Sequence, residues 1–140
     1  MEKNQISEEK LLELFDSAIA ASRTSYSPYS KFPVGAAILF VDGRVFTGCN
    51  VENRSYGLTN CAERTAVFKA VSEGARRIAA IAIAAPKAEY PVGPCGACRQ
   101  VLTEFGSADV PVVFGSKREN IQKSTLGELY PFFSLHELAE

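Results

Sequence analysis

The sequence has little charge imbalance and no long apolar run. Its 15 Lys and Arg residues nearly balance 16 Asp and Glu residues, giving a net charge of −1 and a sequence pI near 5.9. A protein that neutralises many nucleic-acid phosphates needs a clustered basic face, so a small free molecule is the favoured substrate. No apolar run approaches the roughly 20 residues of a membrane span, and the first seven residues lack the hydrophobic core of a signal peptide. We therefore expect a cytoplasmic protein with neither nucleic acid nor membrane as partner.

Internal repeats, low-complexity segments and long linkers are also missing from the sequence. With 140 residues, 46% of them hydrophobic, residues 1–140 are predicted to form a single domain around one core. Apolar periodicity predicts a helix capped by Ser7, then strands at 34–41 and 44–49 around the turn Asp42-Gly43. It then predicts a helix at 61–72, a strand at 78–85, a helix at 95–104, a strand at 110–114, a short strand or helical turn at 125–129 and a terminal helix at 134–139. This order indicates a mixed sheet between helices, with the continuous apolar strand 78–85 at its centre.

Four cysteines carry the strongest chemical signal. In the cytosol, unevenly spaced cysteines are more typical of metal ligands or catalytic thiols than of disulfides. Cys95 and Cys98 lie two residues apart at the predicted start of one helix, just after Pro94, and Cys61 begins another helix. Both helices follow strands whose carboxyl ends are the usual place for a ligand crevice. We therefore predict that the three sulfurs meet.

Three thiolates suit zinc and leave the fourth tetrahedral position open for a water molecule. Neither Cys49 nor the single histidine, His136, has the short spacing to Cys61 that a closed structural site needs. An open, catalytic zinc site with one ion per chain is the favoured interpretation, and Cys49 is interpreted as a small buried residue.

Two other classes of protein stay open at this point. A structural zinc-binding interaction module would require a fully enclosed metal. A thiol–disulfide protein would explain the spacing of Cys95 and Cys98 at a helix start but would leave Cys61 and Glu63 without a role.

The combination Cys61-Ala62-Glu63 and Pro94-Cys95-Gly96-Ala97-Cys98 is a signature of zinc-dependent deaminases. Together with the segments 29–37, 48–53 and 127–131, it resembles the small homotetrameric cytidine deaminases that hold zinc with three cysteines. The resemblance covers about residues 10–131. It implies a three-layer α/β/α fold with a mixed five-stranded sheet, and deamination of cytidine and deoxycytidine to uridine and deoxyuridine by zinc-activated hydroxide.

The resemblance also implies roles for individual residues. Glu63 would shuttle protons without binding the metal. Asn50 and Glu52 would hold the ribose 3′-hydroxyl, which favours a nucleoside over a free base, while Phe32 would line the base pocket and Ala62 would contact the substrate.

Arg64 follows the proposed proton shuttle and can donate a hydrogen bond to a thiolate. Three thiolates leave a zinc site with net negative charge, so we predict that Arg64 and the two helix N-termini withdraw part of that charge. The alternative for Arg64 is a solvated surface arginine.

The substrate and the assembly leave further alternatives. A cytidine-related antibiotic nucleoside, CMP or dCMP could replace cytidine, and Arg54 is the nearest obvious cation for a 5′-phosphate. The resemblance implies a homotetramer whose sites are completed by neighbouring chains through a phenylalanine three residues after a proline. Here that position is Ser134, so we predict that Phe133 lies over the base bound by an adjacent chain, with Phe132 as second choice.

Overall fold

A single five-stranded sheet organises the computed structural model, which describes residues 5–133. The elements are α1 (Glu8–Ser22), β1 (Gly35–Phe40), β2 (Val45–Cys49), α2 (Ala62–Ser72), β3 (Ile78–Ala84), α3 (Gly96–Phe105), β4 (Pro111–Gly115), β5 (Gln122–Thr125) and α4 (Leu126–Leu129). The strand order is β2-β1-β3-β4-β5. Only β3 and β4 pair in parallel, and the other neighbours are antiparallel. The predicted mixed sheet with 78–85 at its centre is confirmed.

Helices cover both faces of the sheet. Successive residues of β1 alternate between two apolar clusters, because side chains of a strand point to opposite faces. Ala37 and Leu39 pack with α1, whereas Ile38 and Phe40 pack with α2 and α3. The three-layer α/β/α architecture is therefore confirmed.

Local signals account for the helix starts. Ser7 caps α1 as predicted, with its hydroxyl accepting a hydrogen bond from Lys10 N at 3.0 Å and two glutamates in the first turn. Cys61 and Cys95 occupy the N-cap positions of α2 and α3.

Two details differ from the sequence prediction. The connection between β1 and β2 spans residues 41–44 and is longer than the predicted two-residue turn Asp42-Gly43. Of these two residues only Gly43 has a positive φ, +95°. The segment predicted as one element at 125–129 is instead the end of β5 followed by α4, with Thr125 capping the short helix. The terminal helix predicted at 134–139, together with Ser134 and His136, lies outside the described residues.

Two glycines let helix backbones touch the sheet. A Cβ on Gly35 would lie 1.9 Å from the Ala18 carbonyl oxygen of α1. A Cβ on Gly48 would lie 2.5 Å from Ala66 N and 2.7 Å from the Ala62 carbonyl oxygen, both in α2. The α1 backbone therefore lies directly against β1 at Gly35, and the α2 backbone against β2 at Gly48.

No helix within residues 5–133 is long and apolar enough to cross a membrane.

Replacing Gly48 with alanine should push α2 away from the sheet, because the obstructing atoms are backbone. Overpacking of this kind typically costs about 1–3 kcal/mol of unfolding free energy. We expect Gly48→Ala to lower the midpoint of thermal unfolding, measured by circular dichroism. Gly57→Ala is the matched control, since nothing lies within 4 Å of a Cβ there. Equal stability of the two variants would contradict this account of the packing.

Candidate metal centre and active site

The three predicted sulfur ligands meet at one edge of the sheet. Strands β2 and β3 run in the same direction, since each is antiparallel to β1, so α2 and α3 start at the same edge. The Sγ atoms of Cys61, Cys95 and Cys98 all lie within 4.8 Å of one another. Cys98 is buried, Cys61 half-buried and Cys95 exposed.

The spacing of the sulfurs fits a tetrahedral metal site. Cys61 Sγ and Cys95 Sγ are 3.9 Å apart, which is too long for a disulfide bond of about 2.05 Å. Zinc–sulfur bonds of about 2.3 Å place two sulfurs of a tetrahedron about 3.8 Å apart. Within residues 5–133, no histidine, carboxylate or further cysteine joins this group as a fourth ligand. Three thiols with one open position are the donor set of a catalytic zinc site.

One cationic side chain, that of Arg64, contacts the thiol cluster. Arg64 Nη2 donates to Cys61 Sγ at 3.2 Å. A hydrogen bond from Cys98 and the Arg64 guanidinium lower the pKa of the Cys61 thiol to about 5. The same hydrogen bond, in which Cys98 keeps its proton, raises the pKa of the Cys98 thiol. One thiolate is thus available near neutral pH to begin metal capture, because metal ligation requires the deprotonated form.

Glu63 is a buried carboxyl group beside the cluster. It sits in the first turn of α2 and is only 4% exposed. Desolvation, followed by a smaller effect of the Cys61 charge, raises its pKa to about 7. A carboxyl group in this position can gain and lose a proton near neutral pH, which suits a proton shuttle.

Asn50 is a structural junction as well as a predicted sugar contact. It is 9% exposed, and its Oδ1 accepts hydrogen bonds from Ser25 Oγ at 2.5 Å and Val34 N at 2.9 Å. Its Nδ2 donates to the Phe32 carbonyl oxygen at 2.9 Å. The carboxamide therefore holds the loop between α1 and β1, which carries the half-buried Phe32.

Glu52 binds the same loop. Its Oε1 accepts from Tyr29 N at 2.9 Å and Ser30 N at 3.2 Å, and its Oε2 accepts from Ser30 Oγ. The hydrogen bond from Ser30 holds the pKa of Glu52 below its usual value. These hydrogen-bond partners lie more than 20 residues from Glu52 in the sequence. The hydroxyl-rich segment 25–30 was the sequence feature that could have indicated these contacts.

The remaining predicted residues occupy separate positions. Ala62 is fully buried at the start of α2. Arg54 is exposed in the loop after Glu52. Cys49 is half-buried, less enclosed than predicted, and accepts a hydrogen bond from Thr24 Oγ1 at 3.6 Å.

The two candidate phenylalanines differ in exposure. Phe133 is half-buried, packs against the core cluster of its own chain and lies 6.2 Å, centroid to centroid, from the ring of Tyr130. Phe132 is 87% exposed. Arg99 ties this segment to α3 by donating to the Leu129 carbonyl oxygen at 2.9 Å. Phe132 thus has the freer ring.

Residues 8–114 match the family described as "Cytidine and deoxycytidylate deaminase zinc-binding region". The chain belongs to this family. It is 55% identical to the cytidine deaminase of Halalkalibacterium halodurans over 84% of this chain and 89% of that protein. It is 51% identical to the cytidine deaminase of Sporosarcina psychrophila over 85% of this chain and 88% of that protein. The crystal structure of cytidine deaminase from Burkholderia pseudomallei superposes with a TM-score of 0.83 at 45% identity, covering 91% of this chain and 99% of that one.

Family membership and geometry together confirm zinc as the cofactor. The matched zinc-binding region contains Cys61, Cys95 and Cys98. The fold brings their Sγ atoms within 4.8 Å of one another, close enough to bind one metal ion. The deaminase-like fold predicted from the resemblance is likewise confirmed. A thiol–disulfide protein and a structural zinc module are no longer needed to explain the cysteines.

Cys98→Ala should remove most bound zinc, because two thiols do not complete a stable site. Cys49→Ala is the matched control, since Cys49 lies outside the cluster. We expect about one zinc per chain by elemental mass spectrometry in the unaltered protein and in Cys49→Ala, and well under half in Cys98→Ala. Full zinc content in Cys98→Ala would remove that residue from the ligand set.

Proposed function

We propose that this protein hydrolyses cytidine and deoxycytidine to uridine and deoxyuridine with release of ammonia. The observation that carries the proposal is the buried Glu63 carboxyl beside three converging thiols at one edge of the sheet. Relatives bearing the name cytidine deaminase share about half of their residues with this chain over most of its length. The need to keep three thiols reduced is consistent with a cytoplasmic location, which stays a prediction.

Glu63 would perform the proton transfers. Zinc, when bound, supplies the Lewis acidity that makes water a nucleophile near neutral pH. The Glu63 carboxylate would accept a proton from the water that attacks carbon 4 of the pyrimidine and deliver it to ring nitrogen 3. It would then pass the second proton of that water to the departing amino group, so that cytidine and water yield uridine and ammonia. A pKa of about 7 suits both directions of transfer.

Residues on the loop and at its contacts would hold the nucleoside. Asn50 and Glu52 would bind the 3′-hydroxyl, and Phe32 and Ala62 would bound the base. Asn50 Nδ2 has a second proton beyond the one donated to Phe32, so its structural bonds leave capacity for a substrate.

A nucleotide substrate is the second candidate, favoured by the exposed Arg54 and by the deoxycytidylate in the family's description. Assaying ammonia release from cytidine, deoxycytidine, CMP, dCMP, antibiotic aminopyrimidine nucleosides and free cytosine would separate these substrates. Faster turnover of dCMP than of deoxycytidine would overturn the nucleoside assignment.

Glu63→Gln should retain zinc and fold but lose roughly 10²- to 10⁴-fold in turnover, because an amide cannot carry the proton. Glu73→Gln is the matched control, since Glu73 is exposed at the other end of α2. The measurement is steady-state deamination of cytidine with zinc content determined on the same samples. A Glu63→Gln enzyme with a tenth of normal turnover would contradict the proton-shuttle role.

We further propose a homotetramer in which a neighbouring chain completes each site. Several large apolar side chains are more than half exposed in the single chain, namely Tyr26, Val41, Tyr56, Leu58, Phe68, Tyr90 and Phe132. These exposed side chains are available for contacts with other protein chains. The greater exposure of Phe132 now favours it over Phe133 as the ring that reaches a neighbouring base.

Phe132→Ala should lower kcat/KM for cytidine by about ten- to a hundredfold, the range expected for loss of base–aromatic stacking. Thermal stability should barely change. Phe133→Ala should mainly lower stability, because its ring packs on its own core. Sedimentation would report the assembly of each variant. A monomeric unaltered protein would refute the shared site, and normal kinetics in Phe132→Ala with impaired kinetics in a stable Phe133→Ala would return the role to Phe133.

A further inference from the structure

The Ser30 hydroxyl connects the two walls of the proposed nucleoside site. It donates to Glu52 Oε2 and accepts a hydrogen bond from Phe32 N at 3.0 Å. One wall holds the carboxylate assigned to the sugar, and the other holds the ring assigned to the base. A single oxygen atom thus links their positions.

The loop around Ser30 depends on side chains for its shape. Lys31 has a φ of +59°, the only positive φ of a non-glycine residue within residues 5–133. Lysine seldom adopts this left-handed conformation, which persists where the surroundings hold it in place. Glu52 binds the loop before Lys31, and Asn50 binds it after Lys31 through Phe32 O and Val34 N. The segment is therefore fixed at both ends.

The donors around Glu52 leave one direction open. An ionised carboxylate offers about four lone-pair sites. Tyr29 N and Ser30 N occupy those of Oε1, and Ser30 Oγ occupies one of Oε2. The hydrogen bond from Ser30 also lowers the pKa of Glu52, so the group is ionised and acts only as an acceptor. One site on Oε2 remains for a single hydroxyl donor.

We propose that Ser30 is a positioning residue that aims the Glu52 carboxylate at one sugar hydroxyl. The inference rests on the proposed function, because it assigns a role within the same nucleoside site. A Glu52 carboxylate with one free acceptor site would select a nucleoside with a free 3′-hydroxyl. A 3′-phosphate would place negative charge against the ionised carboxylate and would be rejected.

Ser30→Ala removes one oxygen atom from an exposed residue and leaves the backbone hydrogen bonds of the loop to Glu52 and Asn50 available. With Glu52 free to rotate, we expect kcat/KM for cytidine to fall about tenfold through KM, with kcat within about twofold. Zinc content and the unfolding midpoint should stay unchanged. Ser17→Ala is the matched control, because within residues 5–133 the Ser17 hydroxyl bonds only the Glu13 carbonyl oxygen on α1.

The decisive measurement repeats these kinetics with 2′,3′-dideoxycytidine, which lacks the hydroxyl in question. If Ser30 acts through Glu52 on the sugar, Ser30→Ala should leave kcat/KM for this substrate within about twofold of the unaltered enzyme. Equal losses with cytidine and dideoxycytidine would mean that Ser30 only maintains the loop, and would overturn this inference alone. Failure of the unaltered enzyme to release ammonia from cytidine would instead overturn the proposed function and this role with it.

Discussion

The convergence of two helix N-termini on three sulfurs is the constraint on which the site depends. A Zn²⁺ ion held by three thiolates has net negative charge, which weakens it as a Lewis acid. The partial positive charges of the α2 and α3 N-termini and the guanidinium of Arg64 oppose that charge. The ligands and the groups that correct their charge therefore come from the same two helix starts.

The sheet makes this convergence possible and also sets the pKa of Glu63. Parallel directions of β2 and β3 bring both helix starts to one edge, and the missing side chain at Gly48 lets α2 lie directly on β2. That close packing seats Cys61 near the other sulfurs and removes Glu63 from water. Desolvation is the largest cause of the raised pKa of Glu63. The packing of α2 on β2 therefore both positions Cys61 and raises the pKa of Glu63.

Sequence reasoning succeeded where the signal was local and failed where it was not. The Ser7 cap, the cysteine-led helices and the apolar strand 78–85 each have a short pattern that tertiary packing did not override. Strand β5, Gln122–Thr125, is a polar edge strand without hydrophobic alternation, so its pairing with β4 could not be predicted separately. The half-buried position of Phe133 beside Tyr130, whose hydroxyl donates to Gln100 Oε1 of α3, is likewise a tertiary feature that no spacing rule reveals.

Asn50 and Glu52 show why the proposed sugar contacts cannot be tested by single deletions alone. Both side chains bind the loop between α1 and β1, so the polar groups assigned to the sugar are already oriented before a nucleoside arrives. Removing the Asn50 carboxamide would free Phe32 and Val34 as well as any sugar contact, and its effect on binding could not be separated from its effect on the loop. Ser30 differs because its proposed role acts through Glu52 on one sugar hydroxyl, so a substrate that lacks this hydroxyl can isolate its contribution.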